Sequence, residues 1–214
     1  MIIKDVMTKD PVCVTTDTTI TDAKDIMDKN GFSKLPVLDK SKRLVGIITK
    51  KGIAKASPSG ATTLDKYEIQ SLLAKVTCGE VMAKHILTVT ENEVVEEAAR
   101  LMIEKDIGCI PVVKDDCVVG IITDSDLFAL FTNMFGAAYH GVRVNFVLPD
   151  KPGQLAAAMA KMGEEGANIV SVITREAGKP DCRRVTIKAT GIEDSKMKSI
   201  LESVNAEIID LRVV

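Results

Sequence analysis

The residues best placed by type and spacing to do chemistry are Gly120-Ile121-Ile122-Thr123-Asp124-Ser125-Asp126. An apolar, β-branched run ends at Thr123, and a helical pattern starts within the next few positions. A carboxylate at Asp126 can accept both hydroxyls of a ribose-type diol through its two oxygens. The Thr123 hydroxyl can donate to a ribose or phosphate oxygen, and amides at the helix start favour an anion. The same Thr-x-x-Asp spacing is also a helix capping box. The two readings stand side by side at this stage.

Other constellations are weaker. The cysteines, Cys13, Cys78, Cys109, Cys117 and Cys182, form no CxxC pair, and the only histidines, His85 and His140, are far apart. That pattern predicts reduced thiols and no zinc site. A cysteine hydrolase needs a thiolate beside a base. Cys109 and His85 are the only pair to consider, and Cys109 lies in the apolar run GCIPVV, where a buried thiol is the commoner outcome. No P-loop, HExxH or Rossmann glycine pattern is present. The expectation is that the chain is not an enzyme and holds no metal. Near the C-terminal side, Asp150 and Gly153 sit in a turn before a helix and Asn168 opens a strand. Helix-start amides suit a carboxylate, and Asp150 or Asn168 could meet an ammonium; plain turn chemistry explains Asp and Gly equally well.

These residues are positioned by an internal repeat. Met7, Ala23, Met27 and Pro36 recur as Met82, Ala98, Met102 and Pro111, each 75 positions on, and Gly46 recurs as Gly120 at 74. In each copy a β-branched segment (Val12–Val14; Ile86–Val89) reads as a strand. A helix with Ile20, Ala23, Ile26 and Met27, or Val95, Ala98, Leu101 and Met102, on one face follows. Two short apolar strands come next, and a further helix starts after each GIIT. One such β-α-β-β-α unit would leave a sheet face open, so the two should pack together. In the first copy the acidic position is Gly52, so that copy lacks the diol acceptor.

KASPSGATTL between the copies is a loop signal, and Ile69, Leu72, Leu73 and Val76 after it are spaced as a helix face. Phe128, Phe131 and Phe135 share one face of the helix after the second copy; core is the favoured reading, and a helix against a second protomer the alternative. From about Gly141 the order becomes βαββαβ, a ferredoxin-like sandwich. The fold class is therefore α/β and α+β, divided as 1–56 for the first repeat, 57–77 for the loop and helix between, 78–136 for the second repeat and 141–214 for the last domain.

The repeated pattern, with its M-T/A-K start, S-x-L-P-V or G-x-I-P-V centre and G-I-I-T end, resembles a tandem CBS-domain pair. V-x-P-D-K-P-G-x-L followed by G-A-N-I resembles an ACT domain, and the combination is similar to CBS–ACT proteins of the acetoin-utilisation B kind. The CBS resemblance implies an adenine nucleotide (AMP, ADP, ATP or S-adenosylmethionine type) as regulatory ligand, its ribose held by Thr123 and Asp126 beside Ile121. Ile86, Leu87 and the Gly108, Ile110 and Pro111 segment would flank the adenine, and Lys51 and Asn30 would face the phosphates. The ACT resemblance implies an amino acid near Asp150, Gly153 and Asn168, or dimerisation alone; Leu148 stands where some serine-sensing members have a polar ligand.

The expected function is a small-molecule sensor that relays occupancy to a partner protein, with a homodimerising scaffold as the alternative. A net charge of −2 and 3% aromatic residues give no footprint for nucleic acid. No apolar leader or membrane span is visible, so a cytoplasmic protein away from membranes is expected, and both resemblances imply a homodimer.

Overall fold

The computed structural model describes residues 1–56, 65 and 73–214. The loop KASPSGATTL beyond residue 56, and the helix positions Ile69 and Leu72, lie outside the described residues. The chain forms two compact units, Met1–Phe128 and Ala129–Val214.

The first unit is built from the two repeats. Repeat one contributes β2 (Val14–Thr15), α1 (Ile20–Asn30), β3 (Lys34–Leu38), β4 (Leu44–Thr49) and α2 (Lys50–Ala56), preceded by β1 (Thr8–Lys9). Repeat two contributes α3 (Cys78–Val81), α4 (Val95–Lys105), β5 (Cys109–Lys114), β6 (Cys117–Thr123) and the start of α5 (Asp124–Met134). Helix α1 starts where the Thr19 hydroxyl accepts the Asp22 N–H and ends at Gly31 with φ +71, the left-handed stop that glycine adopts freely. Asp106 makes the same stop after α4 with φ 51 and carries the Cβ strain that glycine avoids. The hairpin β5–β6 turns through Asp115 and Asp116, both at positive φ (49 and 60), the two-residue loop that fits strand twist. That tight turn is where the second copy loses its residue.

The leading segment of each repeat does not stay with its own repeat. Thr8 and Lys9 pair with Ile121 and Gly120 of β6, while Ala83 bridges Ile47 of β4. Ile2 bridges Val94 before α4, and Thr77 bridges Thr19 before α1. Met7 therefore lies on Gly120 and Met82 on Gly46, where an added Cβ would fall 2.4 and 2.1 Å from the methionine sulfurs. This crossed contact explains why methionine and glycine recur together in both copies. The repeat-one core of Val14, Ile20, Met27, Leu35, Val37 and Ile48 is completed by Cys78, with Val76, Val81 and Met82 packed against it.

Three expectations change. The segment Ile86–Val89 is not a strand; Val89 alone bridges Val112, in parallel. The first segment is likewise reduced to Val14–Thr15, paired with Val37 and Leu38. A β-branched run without a neighbouring ladder along its length has nothing to hold it extended. The Phe128/Phe131/Phe135 face is not core: Phe128 is 71% and Phe131 59% exposed, and Phe131 packs on half-buried Phe135 with ring centres 4.5 Å apart.

The second unit has β7 (Val142–Pro149), α6 (Gln154–Glu164), β8 (Asn168–Glu176), β9 (Cys182–Thr190), α7 (Asp194–Ser203) and β10 (Glu207–Val213). Its antiparallel sheet runs β10-β7-β9-β8, the ferredoxin-like order. Alternate residues Val142, Val144, Phe146 and Leu148 of β7 and Val185, Ile187 and Ala189 of β9 face Met162, Met197 and Leu201 of the helices.

Candidate functional site

At the end of β6 the chain passes directly into α5, so Thr123 caps that helix. The Thr123 N–H and hydroxyl both donate to Asp126 Oδ2, at 2.8 and 2.7 Å. The Asp126 N–H donates back to the Thr123 hydroxyl at 3.3 Å. The capping box is therefore present. It occupies one carboxylate oxygen; among the described residues, Oδ1 accepts no hydrogen bond. The cap fixes the rotamer and leaves the second oxygen without a partner, and Asp126 itself is not among the residues that line the adjoining cleft.

Beside this helix start lies a cleft of about 260 Å³ formed between the two repeats. Ile121, Thr123, Asp124 and Ser125 of repeat two form one wall. The other walls come from repeat one: Asp10, Pro11 and Val12 from the segment after β1, and Phe32, Ser33 and Lys34 at the start of β3. An apolar strip (Val12, Phe32, Ile121) thus faces hydroxyl and charged groups, the mixture a nucleoside-sized ligand requires. Across the mouth, Lys34 Nζ pairs with Asp124 Oδ1 at 3.2 Å and donates to the Gly108 carbonyl. The lysine side chain is 18% exposed and the aspartate 53%, so this bond between repeats lies at the solvent edge.

The geometry places the remaining sequence candidates elsewhere. Ile86 and Leu87 line a different depression with Lys84, His85, Lys105 and Ile107. Ile110 is fully buried, and Pro111 is paired to Ile121 within the sheet. Of the Gly108-Ile110-Pro111 segment only the Gly108 carbonyl reaches the cleft's edge, through Lys34. The flanking wall expected from repeat two is supplied by repeat one, because the leading segments cross over. Asn30 donates to the Ile26 carbonyl of its own helix at 2.8 Å, and Lys51 is on α2, outside this cleft. Lys34, Asp10 and Phe32 went unnoticed in the sequence. The signal that could have found them was the paired recurrence of Met7 with Gly120 and Met82 with Gly46, which implies the crossing.

In repeat one the equivalent helix start has Thr49 accepting the Gly52 N–H at 2.9 Å, a cap with no carboxylate. Cys109 stands beside Lys34 and Asp124; burial pushes its thiol up, with Asp124 adding to the effect and Lys34 opposing it. That is the reverse of what a nucleophilic cysteine needs. In the second unit, Asp150 is held by Arg183 at 2.8 Å, which draws its carboxyl below the usual range. Gly153, at φ +84, turns the chain into α6, and exposed Asn168 pairs with Thr190 at the sheet edge. Among the described residues no group of three or more His, Cys, Asp or Glu side chains could hold a metal ion, and no helix is long and apolar enough to cross a membrane.

Two crossed β-α-β-β-α repeats and a following ferredoxin-like unit define a regulatory-domain architecture. The CBS-domain family model matches residues 3–59 and 78–133, more than half of the chain, and the TTHA0829-like ACT domain model matches residues 140–212. The chain belongs to the CBS-domain family, with a TTHA0829-like ACT domain after the pair. It is similar to a Vibrio cholerae structure provisionally assigned to acetoin utilization, with 30% identity, a TM-score of 0.54, and coverage of 64% of this chain and 95% of that one. A CBS-domain pair solved in complex with 5′-methylthioadenosine and S-adenosyl-L-methionine is 33% identical, with a TM-score of 0.51, over 61% of this chain and 99% of that one. Among curated relatives, the L-aspartate semialdehyde sulfurtransferase of Methanocaldococcus jannaschii is 33% identical over 131 residues, 61% of this chain and 23% of that protein. The chain spans less than half the length of the first curated relatives it matches.

Proposed function

We propose that the cleft between the repeats takes the adenosine part of a small regulatory ligand, and that its occupancy is relayed through the ACT domain or to a partner protein without catalysis. The observation that carries this reading is the cleft in which Thr123, Asp124 and Ser125 of repeat two meet an apolar strip from repeat one; Asp126, one turn behind that wall and not itself lining it, is fixed by Thr123 through one oxygen and keeps the other for a ribose diol at the helix start. The relative solved with two adenosyl ligands supports the ligand class. Because repeat one has Gly52 where repeat two has Asp126, one diol-reading cleft per chain is expected. A polar, solvent-edge ion pair between the repeats (Lys34–Asp124) gives a bound ligand a group to displace, and so a way to alter how the repeats pack.

Titration calorimetry of the full chain with adenosine, AMP, ADP, ATP, 5′-methylthioadenosine and S-adenosylmethionine tests this reading. One site per chain that tolerates changes beyond the ribose supports it; no binding by any of the six overturns it. A second reading, self-association through α5, is favoured by the exposed Phe131. It predicts that Phe131→Ser lowers the mass seen by sedimentation, with adenosine binding unchanged.

A further inference from the structure

The helices of the second unit cover one face of its sheet, and strand alternation sends every other side chain to the opposite face. On β9 these are Arg184, Thr186 and Lys188, set against Asn145 and Arg143 of β7 and Arg175 of β8. The uncovered face of an antiparallel sheet ordinarily lies open to water. Here its middle is buried: Lys188 is 4% exposed and Thr186 9%. Gly136, just past α5, comes close to this lysine; an added Cβ there would fall 2.6 Å from Val170 Cγ1 and 3.7 Å from Lys188 Cδ.

Positive charge on this face exceeds its partners. The register sets Lys188 opposite Arg143 and Arg184 opposite Arg175, and like charges directly opposite destabilise a sheet. Asp210 offsets Arg143 at 3.3 Å and is also held by Arg212 at 2.6 Å. Arg175, Arg184 and Lys188 enter no ion pair among the described residues. Two buried polar atoms are left over as well: the Arg184 Nε donor and Asn145 Oδ1. Asn145 Nδ2 and Thr186 Oγ1 are 2.8 Å apart. Turning that amide over makes the hydroxyl the donor and puts an NH2 where Oδ1 stood, because amide oxygen and nitrogen are interchangeable in such a contact. Both leftover atoms are then donors. A buried cation and buried N–H groups without an acceptor are costly until an acceptor arrives. The Nε–H of a guanidinium and its neighbouring Nη–H form a parallel pair that fits the two oxygens of a carboxylate.

We propose that this face binds a small carboxylate, held by the Nε edge of Arg184, with Lys188 and Arg175 supplying further charge. Asp210 is already engaged by two arginines, so the face offers an ammonium no free acid, and a carboxylic acid without an amine fits best. The proposal uses neither the cleft between the repeats nor the turn at Asp150.

Acetate is the probe. The full chain is titrated with sodium acetate, glycine or sodium chloride at matched ionic strength, and the Arg184 Nε–H resonance is followed by NMR, assigned by its loss in Arg184→Lys. Acetate should move it saturably; chloride and glycine should not. Lys188→Met keeps the alkyl stem beside Gly136 and should weaken acetate at least about tenfold, as expected for losing a charged partner. Without acetate the same variant should melt higher than the parent, since an unpaired buried charge has gone. No saturable shift with acetate in the unmodified chain overturns the proposal. So does glycine binding as tightly as acetate, or equal acetate affinity in Lys188→Met. Should that variant not fold, unchanged affinity in Arg175→Gln, at an exposed position, overturns it equally.

Discussion

Replacing Asp126 with alanine changes two separable quantities. The first is the stability of the ligand-free protein. Asp126 Oδ2 accepts from the Thr123 N–H and hydroxyl, and losing such a cap costs about 1 kcal/mol. For a chain of this size that is a fall in Tm of roughly 2–4 °C. The second is affinity. The oxygen left open by the cap would accept from the ribose diol, and hydrogen bonds to a charged group contribute about 1.5–3 kcal/mol, so Kd should rise about 10- to 150-fold. Asp126→Asn separates the two effects. Its amide oxygen can keep the Thr123 cap while its NH2 meets the diol as a neutral donor, so Tm should stay close to the unmodified value and affinity should fall by less than in the alanine variant. The decisive comparison pairs each protein with adenosine and 2′-deoxyadenosine in the same calorimeter. The unmodified chain should prefer adenosine, and the alanine variant should lose that preference, because a double-mutant cycle isolates the pair in contact. If Asp126→Ala discriminates the two nucleosides as strongly as the parent, the carboxylate is only a cap and the ribose argument fails.

Further outcomes follow from the packing and the thiols. Gly46→Ala places a Cβ against the Met82 sulfur at 2.1 Å. Urea unfolding should show a loss of about 1–3 kcal/mol from overpacking, partly recovered when Met82 is also shortened to alanine; an unchanged midpoint would refute the crossed contact. Asp106→Gly relieves the left-handed strain after α4 and should raise stability by up to about 1 kcal/mol, read as a higher urea midpoint. Burial, with Asp22 adding to it, pushes the Cys78 thiol up to about 11 from its ordinary 9.0. A group whose folded value is raised contributes stability below its unfolded value and loses it as pH climbs. An unfolding midpoint that declines between pH 9 and 11, less steeply in Cys78→Ala, is therefore expected. At pH 8, exposed Cys117 should be alkylated well before buried Cys78 and Cys109, as read by peptide mass mapping.

The element order was readable because each repeat and the last domain carry periodic apolar runs with clear stops. Strand patterning in VRVNFVL and CRRVTIKAT placed β7 and β9 correctly, since alternate burial leaves an alternate sequence. The strands at the start of each repeat were over-read at Ile86–Val89, because β-branched residues signal only a willingness to extend and not the presence of a partner. The strand end at Thr123 was legible to the residue, and the helix start to within a few positions. Which surface it faces was not. Periodicity within a repeat is blind to an exchange of segments between repeats, so Ile86 and Leu87 were expected beside Thr123, where the cleft is lined by Val12 and Phe32. The Lys34–Asp124 pair joins residues 90 apart in sequence, and no local pattern announces such a contact. The exposed phenylalanines of α5 show the opposite limit: a helix face can be apolar in sequence without having a core to enter.

The exchange of leading segments also constrains how the molecule is made. The first repeat cannot close around Ile20 and Ile48 until Cys78, Val81 and Met82 have left the ribosome, and Thr8 waits for Cys117–Thr123 before it has a strand to join. Ordering through such remote contacts is slow relative to local helix formation. During that interval Met7 has no glycine to cover it, so early arrest of translation would leave an open, sticky half-product rather than a finished first repeat.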